Sequence, residues 1–277
     1  MAADRATGGR TRLDEALVSA GLVDSRSRAK RLILAGQVRV DGHTADKPGS
    51  AVKPTADLSV IAGERYVSRG GDKLLEPLEA SGITTAGRVA IDVGASTGGF
   101  TDCLLQAGVD HVIAVDVGYG QLAWKLRQDP RVTVLERTNA RNLAPNALAG
   151  HPTPSLVVMD LSFISVAKVL PAVTHLVAEA ADALVLVKPQ FESRPQDVEK
   201  GGVVRSGAIR RQALAHVANA AARAGWSVIA ARPSPLRGPA GNWECFLQLR
   251  HDAGATHQAD WDDQVTIPDD RDSGAAA

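Results

Sequence analysis

The stretch Asp92-Val93-Gly94-Ala95-Ser96-Thr97-Gly98-Gly99-Phe100 constrains this chain more than any other. It follows the apolar run Val89 to Val93 and precedes residues that read as a helix, so its glycines fall where a strand turns into a helix. Lacking a Cβ, glycine lets the backbone turn tightly and lie close to a ligand. Twenty-two residues after Gly94 comes Asp116, at the end of the next apolar run. There a carboxylate can accept hydrogen bonds from the two hydroxyls of a ribose. Together these features describe a nucleoside pocket built from Asp92, Gly94, Ala95, Ser96, Thr97, Gly98, Gly99 and Asp116, to which Asp160 is also assigned. Asn139, after the third apolar run, is placed to meet an adenine edge, although an Asn in a loop also serves as a plain turn former.

Other uses of such a turn fit less well. A nicotinamide fingerprint needs G-x-G-x-x-G, and here Ser96 stands at the middle glycine. A Walker loop needs a Lys before the helix, and none is present. Gly94-Ala95-Ser96-Thr97-Gly98 does match the G-x-S-x-G elbow of an α/β-hydrolase. That elbow would follow the first strand of its domain, with no earlier strand and loop to supply the second oxyanion donor, and the late histidines lie in an expected tail.

From Ser68 onward strands alternate with helices, which predicts an α/β fold with a mostly parallel sheet covered on both faces. Seven strands are expected, at Val89 to Val93, His111 to Asp116, Val132 to Glu136, Leu156 to Asp160, Ala183 to Lys188, Trp226 to Ala230 and Cys245 to Leu249. Only the turn-rich stretch Arg232 to Asn242 separates the last two, so the final strand should run antiparallel. Asp160 and Lys188 then fall at the carboxyl ends of the fourth and fifth strands, the edge at which open α/β sheets bind ligands. Lys73 comes from the first helix of the domain and Glu244 from the last hairpin. A lysine closing the run Ala183 to Val187 is costly to bury unpaired, so it needs a carboxylate nearby or a chemical task. A purely structural ion pair is the plain alternative. Phe163 and Phe191 flank the expected cleft.

The front of the chain differs in character. Leu13 to Ala20 reads as a short helix ended by Gly21, and Asp24 or Ser25 caps a second helix that stops at Gly36. Strands at Gln37 to Val40 and Leu58 to Ile61, with a turn at Asp41-Gly42, complete a small α+β unit. The net charge of zero conceals an asymmetry. Residues 1 to 70 hold 12 Lys and Arg against 8 Asp and Glu, whereas residues 251 to 277 hold 1 against 7. A basic front unit suits a polyanionic partner, with Arg12, Arg26, Arg28, Lys30, Arg31 and Arg39 as the candidate contacts. The expected divisions are a disordered start over 1–10, the small unit over 11–63, a linker over 64–67, the α/β domain over 68–250 and an acidic disordered tail over 251–277.

Cys103 and Cys245 lie far apart without a CxxC or Cys/His cluster, which argues against a disulfide framework and a zinc site. No metal is expected. No signal peptide and no apolar run of membrane-spanning length is visible, so a soluble cytoplasmic protein is expected, and a monomer.

Several segments carry a family resemblance. Arg12-Leu13-Asp14, Ser25-Arg26-Ser27-Arg28-Ala29-Lys30 and Gly36-Gln37-Val38-Arg39-Val40-Asp41-Gly42 resemble the S4 RNA-binding module. Val67-Ser68-Arg69-Gly70-Gly71-Asp72-Lys73-Leu74, the glycine turn, Asp160-Leu161-Ser162-Phe163-Ile164-Ser165, Leu186-Val187-Lys188-Pro189-Gln190-Phe191-Glu192 and Gly201-Gly202-Val203-Val204 extend the likeness. From about Arg12 to Arg250 the chain resembles the TlyA family of ribosomal RNA 2'-O-methyltransferases, also called hemolysin A-like, in which an S4 module precedes an FtsJ-like domain. The resemblance implies a Rossmann-like class I methyltransferase fold and S-adenosylmethionine as cofactor. It also implies ribosomal RNA as partner, with cytidines of 16S and 23S RNA as targets, and a Lys-Asp-Lys-Glu catalytic tetrad at Lys73, Asp160, Lys188 and Glu244. Two alternatives are a pore-forming hemolysin, for which no amphipathic or apolar membrane segment is found, and a non-catalytic ribosome-assembly protein, which would not need that tetrad.

Overall fold

The computed structural model describes residues 9–60, 65–143, 145–252, 263 and 265–270. They form two compact units that divide between Arg65 and Tyr66.

In the first unit β1 (Thr11–Arg12) leads into α1 (Leu13–Ser19), and Ser25 caps α2 (Arg26–Leu34) by accepting from the Arg28 amide. β2 (Val38–Val40) and β3 (His43–Thr44) form a hairpin, followed by β4 (Ala51–Val52) and β5 (Leu58–Val60). Asp41 and Gly42 both adopt positive φ, +51° and +80°, as a two-residue hairpin turn of this hand requires. β2 lies between β3 and β5, and β1 pairs with β4, all antiparallel. Leu13, Leu17, Ala29, Ile33, Val38 and Val52 close a small core between helices and strands. The short strands β1, β3 and β4 were not expected from the sequence, which has too few residues there to show a period.

The second unit begins with α3 (Arg69–Ser81), capped by Ser68 and ended by Gly82 in the left-handed region. Then follow β6 (Val89–Val93), α4 (Gly99–Gln106), β7 (His111–Val115), α5 (Trp124–Arg127), β8 (Val132–Leu135), β9 (Leu156–Met159) and α6 (Val166–Thr174). β10 (Ala180–Val187), α7 (Pro189–Glu192), α8 (Gly207–Arg223), β11 (Trp226–Pro233) and β12 (Cys245–Asp252) complete it. The sheet order is β11-β12-β10-β9-β6-β7-β8. β12 is antiparallel to both its neighbours, as expected, while the pairings among β10, β9, β6, β7 and β8 are all parallel.

Alternate strand residues bury into two layers. Ile91, Ile113, Val157 and Met159 meet Val169, Leu170 and Leu214 of α6 and α8. Ala90, Val112, Leu156 and Val158 meet Leu74, Phe100 and Leu104 of α3 and α4. The chain runs outward from β6 to β8 and resumes on the other side of β6 with β9. The carboxyl ends of β6 and β9 therefore flank a topological switch point, where such sheets open a crevice.

Two boundaries differ from expectation. Tyr66 and Val67, placed in a linker by the sequence, belong to the second unit: Tyr66 is buried in its core and the Val67 amide donates to Asp102 Oδ2. Gly71 makes the room, since a Cβ there would lie 2.1 Å from the Tyr66 ring. The expected disordered tail over 251–277 does not describe 251–252, which extend β12, or 265–270. In the latter Val265 is buried in the core and Asp270 is ion-paired. The remainder of that tail, and most of the expected disordered start, lie outside the described residues.

Candidate active site

A cleft of about 460 Å³ opens at the switch point. Gly94 forms its floor with φ +88°, and a Cβ on it would come within 2.6 Å of the Asp160 carbonyl, so glycine is required where β6 and β9 end side by side. Ser96 follows at φ +48°, an uncommon conformation for a residue with a side chain. In that turn its amide donates to Asp116 Oδ2 at 2.8 Å, and the Gly118 amide donates to Oδ1 at 2.6 Å. The carboxylate is thus fixed at the rim of the cleft, with acceptor capacity left on each oxygen. Asn139 Oδ1 accepts from the Arg141 amide, so it forms a turn and lines the cleft at once.

Of the residues assigned to the nucleoside pocket, Gly94, Ser96, Asp116, Asn139 and Asp160 line the cleft, and Asp92, Ala95, Thr97, Gly98 and Gly99 do not. The latter build it from behind. Gly98, at φ +97°, leaves room for Leu126, and Gly99 packs against Ser68, where an added Cβ would be 2.3 Å from Oγ. Asp92 is wholly buried on β6 and accepts from Thr101 Oγ1 at 2.7 Å. Burial, with a contribution from Asp160, pushes its carboxyl up to about 7.

The four expected catalytic residues form two ion pairs. Lys73 Nζ on α3 lies 2.6 Å from Glu244 Oε2, just before β12, and both are buried. Lys188 Nζ, at the end of β10, lies 2.5 Å from Asp160 Oδ1, at the end of β9, and donates to Ser162 Oγ at 3.1 Å. Gly238 lies against Glu244, since a Cβ there would stand 2.4 Å from Oε1. Asp160 belongs to both the cleft lining and the Lys188 pair, which joins the pocket to Lys188.

Apolar residues at or just past the strand ends, among them Val93, Val115 and Leu161, also line the cleft, as do Gln121 and Thr138. Sequence reasoning missed them because nothing separates a strand's last apolar residue from one that faces a ligand. Phe163 is 91% exposed, adopts φ +66° at the cleft and rests on Phe191 with ring centroids 5.3 Å apart. Glu192, also not anticipated, accepts from Ser165 Oγ at 2.5 Å and from the Val166 amide at 2.6 Å. It thereby ties α7 to the start of α6, and burial raises its pKa. The Ser96 hydroxyl donates to Gln121 and, among the described residues, no histidine lines the cleft, so these residues do not form the hydrolase arrangement.

In the first unit the six candidate RNA contacts divide. Arg12 and Arg26 both hold the buried Asp14, and Arg28 pairs with Asp24. The Arg12 guanidinium keeps the Asp14 carboxyl below its usual range. Lys30, Arg31 and Arg39 are exposed and have no carboxylate partner among the described residues.

Comparison with known proteins gives the family of each unit. A family model for an FtsJ-like methyltransferase matches residues 66–251, and one for an S4 domain matches 11–58. The 16S/23S rRNA (cytidine-2'-O)-methyltransferase TlyA of Mycobacterium tuberculosis is 53% identical over 243 residues, 87% of this chain and 90% of that one. Hemolysin A of Brachyspira hyodysenteriae is 39% identical over 233 residues, 84% and 97% of the two chains. A solved structure described as a hemolysin, from Streptococcus thermophilus, covers 92% of both chains at 38% identity with a TM-score of 0.69.

Proposed function

Because the chain belongs to the TlyA family of FtsJ-like methyltransferases, we propose that it transfers a methyl group from S-adenosylmethionine to a ribose 2'-hydroxyl of cytidine in 16S or 23S ribosomal RNA. One observation carries this reading: Asp160 lines the nucleoside cleft and holds Lys188 at the same time, so the lysine that would serve as base stands at the pocket's edge. The cleft fits the cofactor's adenosine. Asp116 has acceptor positions for ribose hydroxyls, Asn139 offers an amide to the adenine, and Gly94 clears the approach. Bound there, S-adenosylmethionine supplies a methyl group activated on a sulfonium.

The chain's own residues do the rest. Once the Lys188 ammonium has released a proton to solvent, its Nζ takes the proton of the 2'-hydroxyl, and Asp160 stabilises the ammonium that re-forms. Lys73, held by Glu244, contributes positive charge toward the developing alkoxide or the neighbouring phosphate. Phe163 offers an exposed ring on which the target base can stack once it leaves the helix. The first unit brings cations to the phosphate backbone and orients the substrate. Holding the two reactants at close range supplies much of the acceleration.

The test is to incubate the protein with radiolabelled cofactor and separated 30S subunits, 50S subunits and naked ribosomal RNA, then map the labelled ribose. Label on a cytidine 2'-oxygen is expected, and no label on any RNA would sink the reading. The hemolysin name of some relatives suggests a pore, but among the described residues no helix is long and apolar enough to cross a membrane.

A further inference from the structure

Segment 265–270 lies far along the chain from every residue of the cleft, yet it is docked by a dense set of contacts. Val265 is buried in the core of the second unit, and Ile267 packs against that core. Arg210, on α8, is completely buried. Its Nε donates to the Val204 carbonyl, one terminal nitrogen to the Pro268 carbonyl at 2.5 Å and the other to Asp270 Oδ2 at 2.6 Å. Its guanidinium carbon stands 5.9 Å from the centre of the Trp243 ring, next in sequence to Glu244. A buried guanidinium without a carboxylate is strongly unfavourable, so α8 needs this segment in place.

Asp270 reaches further. The same Oδ2 accepts from Arg237 at 2.8 Å, and the Asp270 amide donates to the Arg205 carbonyl at 2.9 Å. Arg237 belongs to the loop 234–244 that ends in Glu244. Its carbonyl accepts from Arg69 on α3, the helix that carries Lys73, and the next residue, Gly238, lies against the Glu244 carboxylate. Asn242 fixes the other side of the loop, accepting from the Val204 amide and donating to the Gly202 carbonyl. The loop is therefore tied to α3, to the 202–204 segment and to Asp270.

We propose that segment 265–270 is a strap whose Asp270, by joining Arg210 to Arg237, positions the loop that sets Glu244 against Lys73. Asp270 does not line the cleft and acts as a positioning residue. The effect on methyl transfer rests on the function proposed above, but the effect on the loop does not.

The full-length protein with Asp270→Ala, and separately with Arg237→Met, is measured three ways. These are cofactor affinity by calorimetry, single-turnover methylation of ribosomal RNA at saturating cofactor, and amide hydrogen exchange over 234–244. Arg237→Met keeps the Arg210–Asp270 pair, so it tests the coupling even where Asp270→Ala fails to fold. Faster exchange over 234–244 is expected in both. The single-turnover rate should fall roughly ten- to a hundredfold, as small misplacements of catalytic groups do, with cofactor affinity within a few-fold. Asp270→Glu should recover part of the rate. Unchanged exchange and rate in Arg237→Met would overturn the strap. So would a parallel fall of cofactor affinity, thermal stability and rate, the mark of general destabilisation. If the unaltered protein methylates no ribosomal RNA, the proposed function fails, and the exchange experiment still decides on the strap.

Discussion

Lys188 Nζ lies 2.5 Å from Asp160 Oδ1, and this contact joins the carboxyl ends of the neighbouring strands β10 and β9 at the edge of the sheet where the cleft opens. The lysine is nearly buried, and removal of either partner would strand a charge. The role proposed for Lys188 alone is proton transfer at the hydroxyl.

Lys188→Ala should therefore lower methyl transfer by roughly 10²- to 10⁴-fold, the usual worth of a general base. Cofactor affinity should stay within a few-fold, because Lys188 does not line the cleft. Single-turnover rates and calorimetric titrations across pH 6 to 9 check both. Near-normal turnover over that range would remove Lys188 as the base.

Asp116→Ala should act in the opposite manner. Its carboxylate sits at the rim of the cleft and organises the Ser96 and Gly118 amides. Its loss should weaken cofactor binding by about 1 to 3 kcal/mol, the cost of unmade hydrogen bonds to hydroxyls and amides. At saturating cofactor the methylation rate should largely recover. A variant that binds normally but turns over poorly would reassign Asp116.

Asp92 gives a pH-dependent stability. Burial raises its folded-state pKa from the ordinary carboxylate value to about 7. Folding then takes up a proton between those two values, so the stability that Asp92 contributes is full below about pH 4 and is lost as pH rises to about 7. Asp92→Asn keeps the shape and the acceptor for Thr101 without the charge. It should stabilise the protein by on the order of 1 to 4 kcal/mol at pH 8, and by little at pH 4. Denaturant midpoints at the two pH values measure the difference, and equal shifts at both would show that Asp92 is not held protonated.

The strands were legible because each is an apolar run of strand length bounded by turn residues, and Gly94, Gly98 and Gly99 announce the turn between β6 and α4. Pairing was harder to read. Lys73 and Glu244 stand 171 residues apart, and only the insertion of β12 between β10 and β11 brings the hairpin loop back to α3. The strap escaped because Val265 and Ile267 are isolated apolar residues in an acidic stretch. Their segment is held by Arg210, sixty residues before Asp270, whose burial no local pattern reveals. Tyr66 was misplaced for a similar reason, since a lone aromatic beside a domain boundary reads as linker until the cavity opposite Gly71 is seen.

The division of labour between the two units yields the last prediction. Lys30, Arg31 and Arg39 are free of carboxylates among the described residues, so they are the cations best able to meet phosphates. Arg12 and Arg26 also hold the buried Asp14, and their replacement would disturb the fold of the first unit as well. Lys30→Ala, Arg31→Ala and Arg39→Ala should each weaken ribosomal RNA binding, and each should reduce the logarithmic salt slope by about one. Cofactor affinity should not change. A fragment that starts at Arg65 keeps Tyr66 under Gly71, whereas one that starts at Ser68 discards a core side chain. The longer fragment should fold and bind cofactor, yet methylate ribosomal RNA poorly, because the phosphate contacts that provide affinity and orientation are gone. Calorimetric cofactor titration of that fragment beside RNA binding at two salt concentrations distinguishes the possibilities. Lost cofactor binding would make the first unit a structural brace, and RNA affinity equal to that of the full chain would end its role in targeting.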